Sequence, residues 1–432
     1  MTPSPQSCAP APGHRRAHGN WNGTDRTTRP PTRTPQEPDI DTPRRTVLRR
    51  LAALGGVAAL AIGTSGCSLI QQAQTGFSVS GAVDQLLSWE GLSLQATLDA
   101  TPDEMYDYLL RLAARDGGPE PSMDDARLLA DMELLAVVGD PEREIRLKDR
   151  RNADPLAGAV ALNFGGLDAV GVKNILGRTF VRVSVDTVVR DVYRGGEAAN
   201  AEAAHFVRDA GALPDSLRVA RDALRGAWVE VDPYQYDEYA RAVSDHTLLG
   251  AEQAQVFAAA MSEGGNTLDP AGQWRFAADL GAALRSGATL ERAGQERGAE
   301  LVDVRLPAGQ AQRALSPLLT LLTEQGARFG LPPVFHPPAD PDERVTARLA
   351  IRNGVLSEVA FDLGQFGGAG AGELPLRMTL TGGSAISLTA PPENRDVLTP
   401  QDLTVALMYL QTQRDAREEN PERANIPGPL QP

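Results

Sequence analysis

The chain has 432 residues, with 42 Lys and Arg against 56 Asp and Glu, a net charge of −14. The first 66 residues hold nine arginines and four carboxylates, so residues 67–432 keep 33 basic and 52 acidic side chains, net −19. A surface that acidic repels nucleic acid and anionic headgroups, which excludes a nucleic-acid binder and a protein held at a membrane by charge alone.

Residues 1–43 are rich in Pro, Thr, Arg and Gly without apolar periodicity, and read as a disordered leader. Then Arg44-Arg45-Thr46-Val47-Leu48-Arg49-Arg50 precedes an uncharged apolar run at residues 51–63, and Thr64-Ser65-Gly66-Cys67 follows. A basic flank, an apolar run and small residues before a cleavage point are the parts of an export signal, here residues 44–66. The run fits the roughly 7–15 residues of a signal core and is short of the roughly 20 needed to span a bilayer. Its last four residues resemble a bacterial lipobox, which implies diacylation of Cys67 as the first residue of the mature chain. Two acyl chains anchor stably, because each buried CH₂ contributes about 0.8 kcal/mol and one chain alone is marginal. Arg44 and Arg45, followed by Thr46, Val47 and Leu48, look like a twin-arginine signal, whereas Arg49 and Arg50 equally suit the general secretory route. The cysteines are Cys8 and Cys67, so the mature chain has no free thiol or disulfide and must be held by its core. Past Gly63 no apolar run reaches the length of a membrane span.

Residues 67–81 read as a polar tether, with a short helix at 82–89. Leu92, Leu94, Ala96 and Leu98 then alternate with polar residues, the period-two pattern of a strand with one buried face. Thr101-Pro102-Asp103-Glu104 predicts a helix start: a Thr cap, Pro at the first position and Glu closing a capping box. Met105, Tyr108, Leu109 and Leu112 form its apolar stripe, and Asp116-Gly117-Gly118 stops it. Residues 128–138 fit a strand through Leu128, Ala130, Met132, Leu134, Ala136 and Val138, and fit a helix through Leu128, Met132 and Leu135. Strands are expected at 144–148, 158–164, 169–173 and 179–185, with Asp186 capping a helix to Tyr193. A helix-rich stretch at 198–225 leads to a short strand at 227–232, then helices at 234–242 and 251–261.

The C-terminal part is the most regular. Val345, Ala347, Leu349 and Ile351 alternate up to Asn353-Gly354, a type I′ hairpin signal because both residues tolerate positive φ. Val355, Val359, Phe361 and Leu363 return, then Leu374, Leu376, Met378 and Leu380, then, after Gly382-Gly383, Ile386, Leu388 and Ala390. This predicts a four-stranded antiparallel meander with one apolar face. A last helix at 400–413 precedes a Pro-rich tail, 414–432, expected to be disordered. The strand-then-helix run at 178–192 is echoed at 300–319, which fits two related halves or two unrelated units equally.

The lipobox, Gly177-Arg178-Thr179-Phe180-Val181-Arg182-Val183, Gly226-Ala227-Trp228-Val229-Glu230-Val231-Asp232 and the meander ending in Thr389-Ala390-Pro391-Pro392 together resemble the actinobacterial LppX/LprG lipoproteins and, more distantly, LolA-like lipoprotein carriers. The resemblance covers residues 82–413 and implies an α+β fold: a curved antiparallel sheet, an incomplete barrel, with helices packed on its concave face. It also implies an apolar cavity that holds acyl chains, hence carriage of a lipid or glycolipid in the cell envelope. The residues expected to line that cavity are Leu349, Ile351, Val359, Phe361, Leu376, Met378, Leu380 and Leu388.

Catalytic patterns are thin. The mature histidines His205, His246 and His336 are scattered, and no nucleophile elbow, zinc-binding helix or phosphate loop is present. Gly367–372 joins two strands and reads as a hairpin loop. The acidic groups Asp103-Glu104-Asp107 and Asp124-Asp125 suit first turns of helices, where carboxylates favour the dipole, and Asp340-Asp342-Glu343 suits a solvated face. The sequence therefore points to a non-enzymatic lipoprotein on the outer face of the cell membrane, without metal or cofactor. It either binds a hydrophobic ligand or serves as an envelope scaffold for a protein partner.

Overall fold

The computed structural model describes residues 66–116, 120–150, 156–194, 196–246, parts of 254–262, 288–313, 316, 340–366, 370, 372–389 and 397–419. The chain divides into two units, residues 1–43 and 44–432, and every described residue belongs to the second.

Among the described residues, eleven antiparallel strands form one curved open sheet that does not close into a barrel. The chain starts at its centre with β1 (Gly91–Leu98) and steps outward through β2 (Met132–Gly139), β3 (Ala157–Phe164), β4 (Leu167–Ile175) and β5 (Arg178–Val183) to the edge strand β6 (Val229–Val231). It re-enters at the opposite edge as β7 (Thr289–Glu296) and steps inward through β8 (Ala299–Pro307), β9 (Arg344–Arg352) and β10 (Val355–Asp362) to β11 (Pro375–Gly382), which pairs with β1. Among the described strands, β1 and β11 are the one neighbouring pair that is not sequential. The two echoing strand–helix units use β5 and β8, each one strand in from an edge.

The type I′ turn expected at Asn353-Gly354 is present, with φ of 52° and 74°. The same two-residue geometry recurs at Gly165-Gly166, Leu176-Gly177 and Arg297-Gly298, where the first φ lies between 49° and 54° and the second between 77° and 79°. Its backbone twist matches that of the strands it joins. Leu176 and Arg297 hold the left-handed conformation at a steric cost of about 1 kcal/mol. Leu176→Asn is therefore expected to stabilise the protein by about 0.5–1 kcal/mol, seen as a higher urea midpoint with an unchanged slope. A lower midpoint would show that the Leu176 side chain matters more than its backbone.

The two faces of the sheet differ. On the inner face, alternate residues of β1, β2 and β7–β11 form one apolar cluster with three helices: Gly66–Leu86, Pro102–Asp116 and Met123–Asp131. The opposite face of the β7–β11 half carries cross-strand ion pairs: Arg348 with Asp303 at 2.9 Å, Arg305 with Glu291 at 2.9 Å, and Arg377 with Glu358 at 3.7 Å. This is the one-sided pattern of an antiparallel sheet with one solvated face. At the β6 edge, the helices Glu197–Ala210, Arg218–Leu224, Tyr236–His246 and Pro400–Glu419 bury Leu213, Leu224, Leu403 and Leu407 against Val229 and Val231.

Several local expectations hold. Thr101 caps its helix: its hydroxyl accepts from the Glu104 N–H at 3.3 Å, and its own N–H donates to the Glu104 carboxylate at 2.8 Å. That backbone N–H, with the Thr101 hydroxyl, holds the Glu104 carboxyl below its usual pKa. Both readings of residues 128–138 are realised in series, for the helix Met123–Asp131 passes straight into β2 at Met132. Ser122 and Asp125 supply its capping box.

Others are corrected. The expected tether is helical, part of Gly66–Leu86, with Thr75, Val79, Ala82 and Leu86 buried at spacings of four, three and four. Residues 144–148 form no strand, because the Asp140 carboxylate accepts the Glu144 and Ile145 N–H groups at 2.8 and 2.7 Å and a 3₁₀ turn, Leu147–Asp149, follows. Of the fourth meander strand expected at 386–390, the described residues 386–389 form no strand, and β1 pairs with β11 in its place. Gly383, at φ 96°, turns the chain off the sheet, and the Ser93 hydroxyl fastens it by donating to Gly383 O (3.0 Å) and accepting from Ala385 N–H (2.8 Å). The last helix runs on to Glu419, so residues 414–419 are helical rather than part of a tail. The helix expected at 251–261 lies largely outside the described residues, though Ala254, Gln255, Ala258 and Ala259 are helical.

Candidate functional site

The pairing registers align apolar side chains in rows across the inner face. One row runs Val170, Leu162, Leu134, Ala96, Met378, Val359, Leu349 and Val302, one residue from each of eight adjacent strands. The next runs Val229, Val181, Val172, Val160, Ala136, Leu94 and Leu380. Beside it, Val138 lies opposite Leu92. Such rows arise because strand period two puts every second residue on one face, and antiparallel pairing sets those residues shoulder to shoulder.

Burial along these rows is uneven. Ile351, Phe361, Leu376 and Met378 are buried, as are Val172 and Val302. Leu92, Leu94, Ala136, Val138, Val160 and Leu380, all near the middle of the sheet, remain partly exposed, as do Leu349 and Val359. Contiguous apolar surface left open to solvent marks ligand or interaction sites, so a partly exposed apolar patch near the middle of the sheet is the candidate site.

Of the lining residues expected from the sequence, Leu349, Ile351, Val359, Phe361, Leu376, Met378 and Leu380 come together in the inner cluster. Leu388 does not. It lies on the other face with Val137, Ala157, Ala159, Ile175 and Phe180, because the chain has left the sheet at Gly383. The expectation also missed the β1–β3 half of the patch. Its alternation was visible in β1, but no local signal shows that β1 lies beside β11. Cys67 is the second residue of the helix Gly66–Leu86, and its side chain lies outside the described residues, as do Arg44, Arg45 and His336. His205 is exposed on its helix beside Arg208, at 3.2 Å, and His246 ends another helix. No group of three or more His, Cys, Asp or Glu is placed to hold a metal ion among the described residues.

Two clefts open at the first half of the sheet. The outer one, about 190 Å³, is lined by Leu135, Ala161, Gly171, Arg182, Trp228 and Ile386 among others. Lys173, 6% exposed, lies beside it with its ammonium 4.7 Å from the Trp228 ring and 5.6 Å from the Phe180 ring, donating to Ser387 O. Trp228 rests on Gly171, where a Cβ would come within 2.6 Å of the ring. Arg182 pairs with Asp168 and donates to Gly226 O. These contacts fasten the irregular 384–389 segment to the sheet and read as a structural clamp.

The second cleft, about 210 Å³, is lined by Leu128, Asp131, Phe164, Gly165, Arg190, Asp191 and Arg194. Phe164 and Leu128 cluster with Leu162 and Val170 of the first apolar row. Tyr236 packs near the same row with Val160, Val170, Val172 and Val181, and burial pushes its hydroxyl pKa up to about 12, aided by Tyr239.

No helix among the described residues is long and apolar enough to cross a membrane. No protein-family model matches the chain, and comparison with curated proteins and with solved structures likewise found no match.

Proposed function

We propose that the protein is an exported lipoprotein, anchored through Cys67 on the outer face of the cell membrane, that binds or carries a hydrophobic ligand without chemical conversion. The observation that carries this reading is the partly exposed apolar patch of Leu92, Leu94, Ala136, Val138, Val160 and Leu380 at the centre of a curved open sheet. An apolar concavity with few polar groups is the usual make-up of a small-molecule site, and a lipid chain needs no more. The export signal, the lipobox and the resemblance to lipoprotein carriers support the same reading. The helix Gly66–Leu86 carries Cys67 as its second residue and docks on β10 and β7, so an acyl anchor there would hold the ligand face close to the membrane.

Two measurements on the full chain test it. Radiolabelled palmitate should mark the wild type and not Cys67→Ala, which should also leave the membrane fraction. A fluorescent polyene fatty acid should bind the wild type near one to one with micromolar affinity, about −8 kcal/mol. No label and no probe binding would sink the reading.

A second reading, an envelope scaffold without cargo, draws on one feature. The helix Pro400–Glu419 buries Leu403, Ala406, Leu407 and Leu410 yet exposes Val405, Met408 and Tyr409 on another side. A helix apolar on more than one face suits a protein partner. Probe binding distinguishes the two readings.

A further inference from the structure

The apolar wall does not end at Leu94. On β3, Val160, Leu162 and Phe164 share one face, and Phe164 helps to floor the inner cleft with Leu128. Arg190 and Arg194 stand at the cleft with Asp131 and Asp191. The segment carrying the arginines is irregular twice over: Val188–Val192 is a π-helical turn, and Arg194 has φ of 48°, which a long non-glycine side chain seldom adopts. Such departures concentrate where a fold holds side chains for a ligand.

The donors in the cleft are unequally engaged. Arg190 is gripped by its neighbour Asp191, Nε to Oδ1 at 2.8 Å and Nη2 to Oδ2 at 2.6 Å. Arg194 has a 3.3 Å contact from Nη1 to Asp124, which Arg127 shares at the same distance. Its Nε is buried with no acceptor among the described residues. The open Arg194 donor calls for an acceptor that completes it.

We infer that the cleft takes the anionic head of an amphiphile whose chain lies along the inner face toward Val160 and Leu94, an inference that rests on the inner face being the ligand site. Phe164 lies four positions along β3 from Val160, so head and chain sites lie about 13 Å apart at roughly 3.3 Å per residue, within reach of one acyl chain. A guanidinium fork matches the paired oxygens of a carboxylate or a phosphodiester. Asp131, Asp191 and Asp124 offset Arg190, Arg194 and Arg127 and bring the mouth close to neutrality, which favours such a singly charged head over a phosphate dianion.

Calorimetric titration of the full chain with sodium dodecanoate, dodecanol and sodium acetate tests this. Dodecanoate should bind about tenfold more tightly than dodecanol, and acetate should show no binding. Arg194→Gln should abolish the preference for dodecanoate while leaving dodecanol affinity within about twofold. Arg194→Lys, which keeps the charge but not the fork, should retain part of it, and thermal melts of both variants confirm folding. Equal binding of dodecanoate and dodecanol, or a preference untouched by Arg194→Gln, overturns the head site and leaves the hydrophobic reading standing. Binding of neither overturns both. Acetate binding as tightly as dodecanoate would make the cleft a free-anion pocket and overturn the amphiphile.

Discussion

Asp140→Ala is expected to cost about 3–5 kcal/mol of stability at neutral pH, because it removes the carboxylate from a buried ion pair. The Asp140 and Arg150 side chains are each 3% exposed and meet at 2.7 Å. Asp140 also accepts N–H groups from Glu142, Glu144 and Ile145, so one carboxylate organises the whole 140–150 loop. That loop is tied to the chain before β1 by Asp140 N–H to Glu90 O, Leu147 N–H to Trp89 O and Lys148 N–H to Leu87 O, at 2.8–3.0 Å. Arg150→Met should cost less, since the carboxylate keeps its three backbone donors. Burial alone would raise the Asp140 pKa, but the N–H groups of Ile145, Glu144 and Glu142 together with the Arg150 guanidinium outweigh it and hold the carboxyl below its ordinary value. A depressed folded-state pKa means stability that is fully present above the unfolded pKa, about 3.9, and lost as pH falls through the folded one. The gap between wild type and Asp140→Ala in urea unfolding should therefore be full at pH 7 and shrink as the pH is taken below about 4. A gap under 1 kcal/mol at pH 7, or one that does not change in acid, would contradict the ion pair as the source.

The same carboxylate shows where sequence reading stops. Residues 144–148 carry enough alternation to suggest a strand, and nothing local announces that Asp140 will take their N–H groups for itself and Arg150. Signals that act within a few residues were legible: the Thr101–Glu104 box, the Asn353-Gly354 turn, and the alternation of β9 to β11. At residues 68–81 the Ser, Gly and Gln content masked a stripe at Thr75, Val79, Ala82 and Leu86, whose helical character is decided by docking on the sheet. The central pair Leu94 and Leu380 joins residues far apart in the chain, so local alternation pairs β11 with the next apolar run, at Ile386 and Leu388, instead of with β1. Half of the candidate site was thus visible, as the apolar faces of β9 to β11. The other half depended on pairing that no local pattern encodes.

Phe361→Ala is expected to destabilise the protein by about 3–5 kcal/mol, and the contrast with Leu94→Ala bears directly on the ligand site. Phe361 is 3% exposed, its ring centroid is 5.1 Å from that of Phe366, and its strand neighbours in the same row are Leu376 and Ala347. Truncation forfeits the transfer of a whole ring, leaves a cavity in a packed region, and loses an aromatic pair worth about 0.5–1.5 kcal/mol. Leu94 sits on the same face but is only partly buried, so Leu94→Ala removes contacts already incomplete and should cost about 1–2 kcal/mol. Adding dodecanoate should stabilise the wild type by an amount that grows with ligand concentration over Kd, and Leu94→Ala should gain less from it than Phe361→Ala. The inner face would then resolve into a filled half around Phe361 and a half around Leu94 that the ligand completes. Equal costs at the two positions, with no ligand-dependent difference, would mean that the sheet is packed throughout and has no room for cargo.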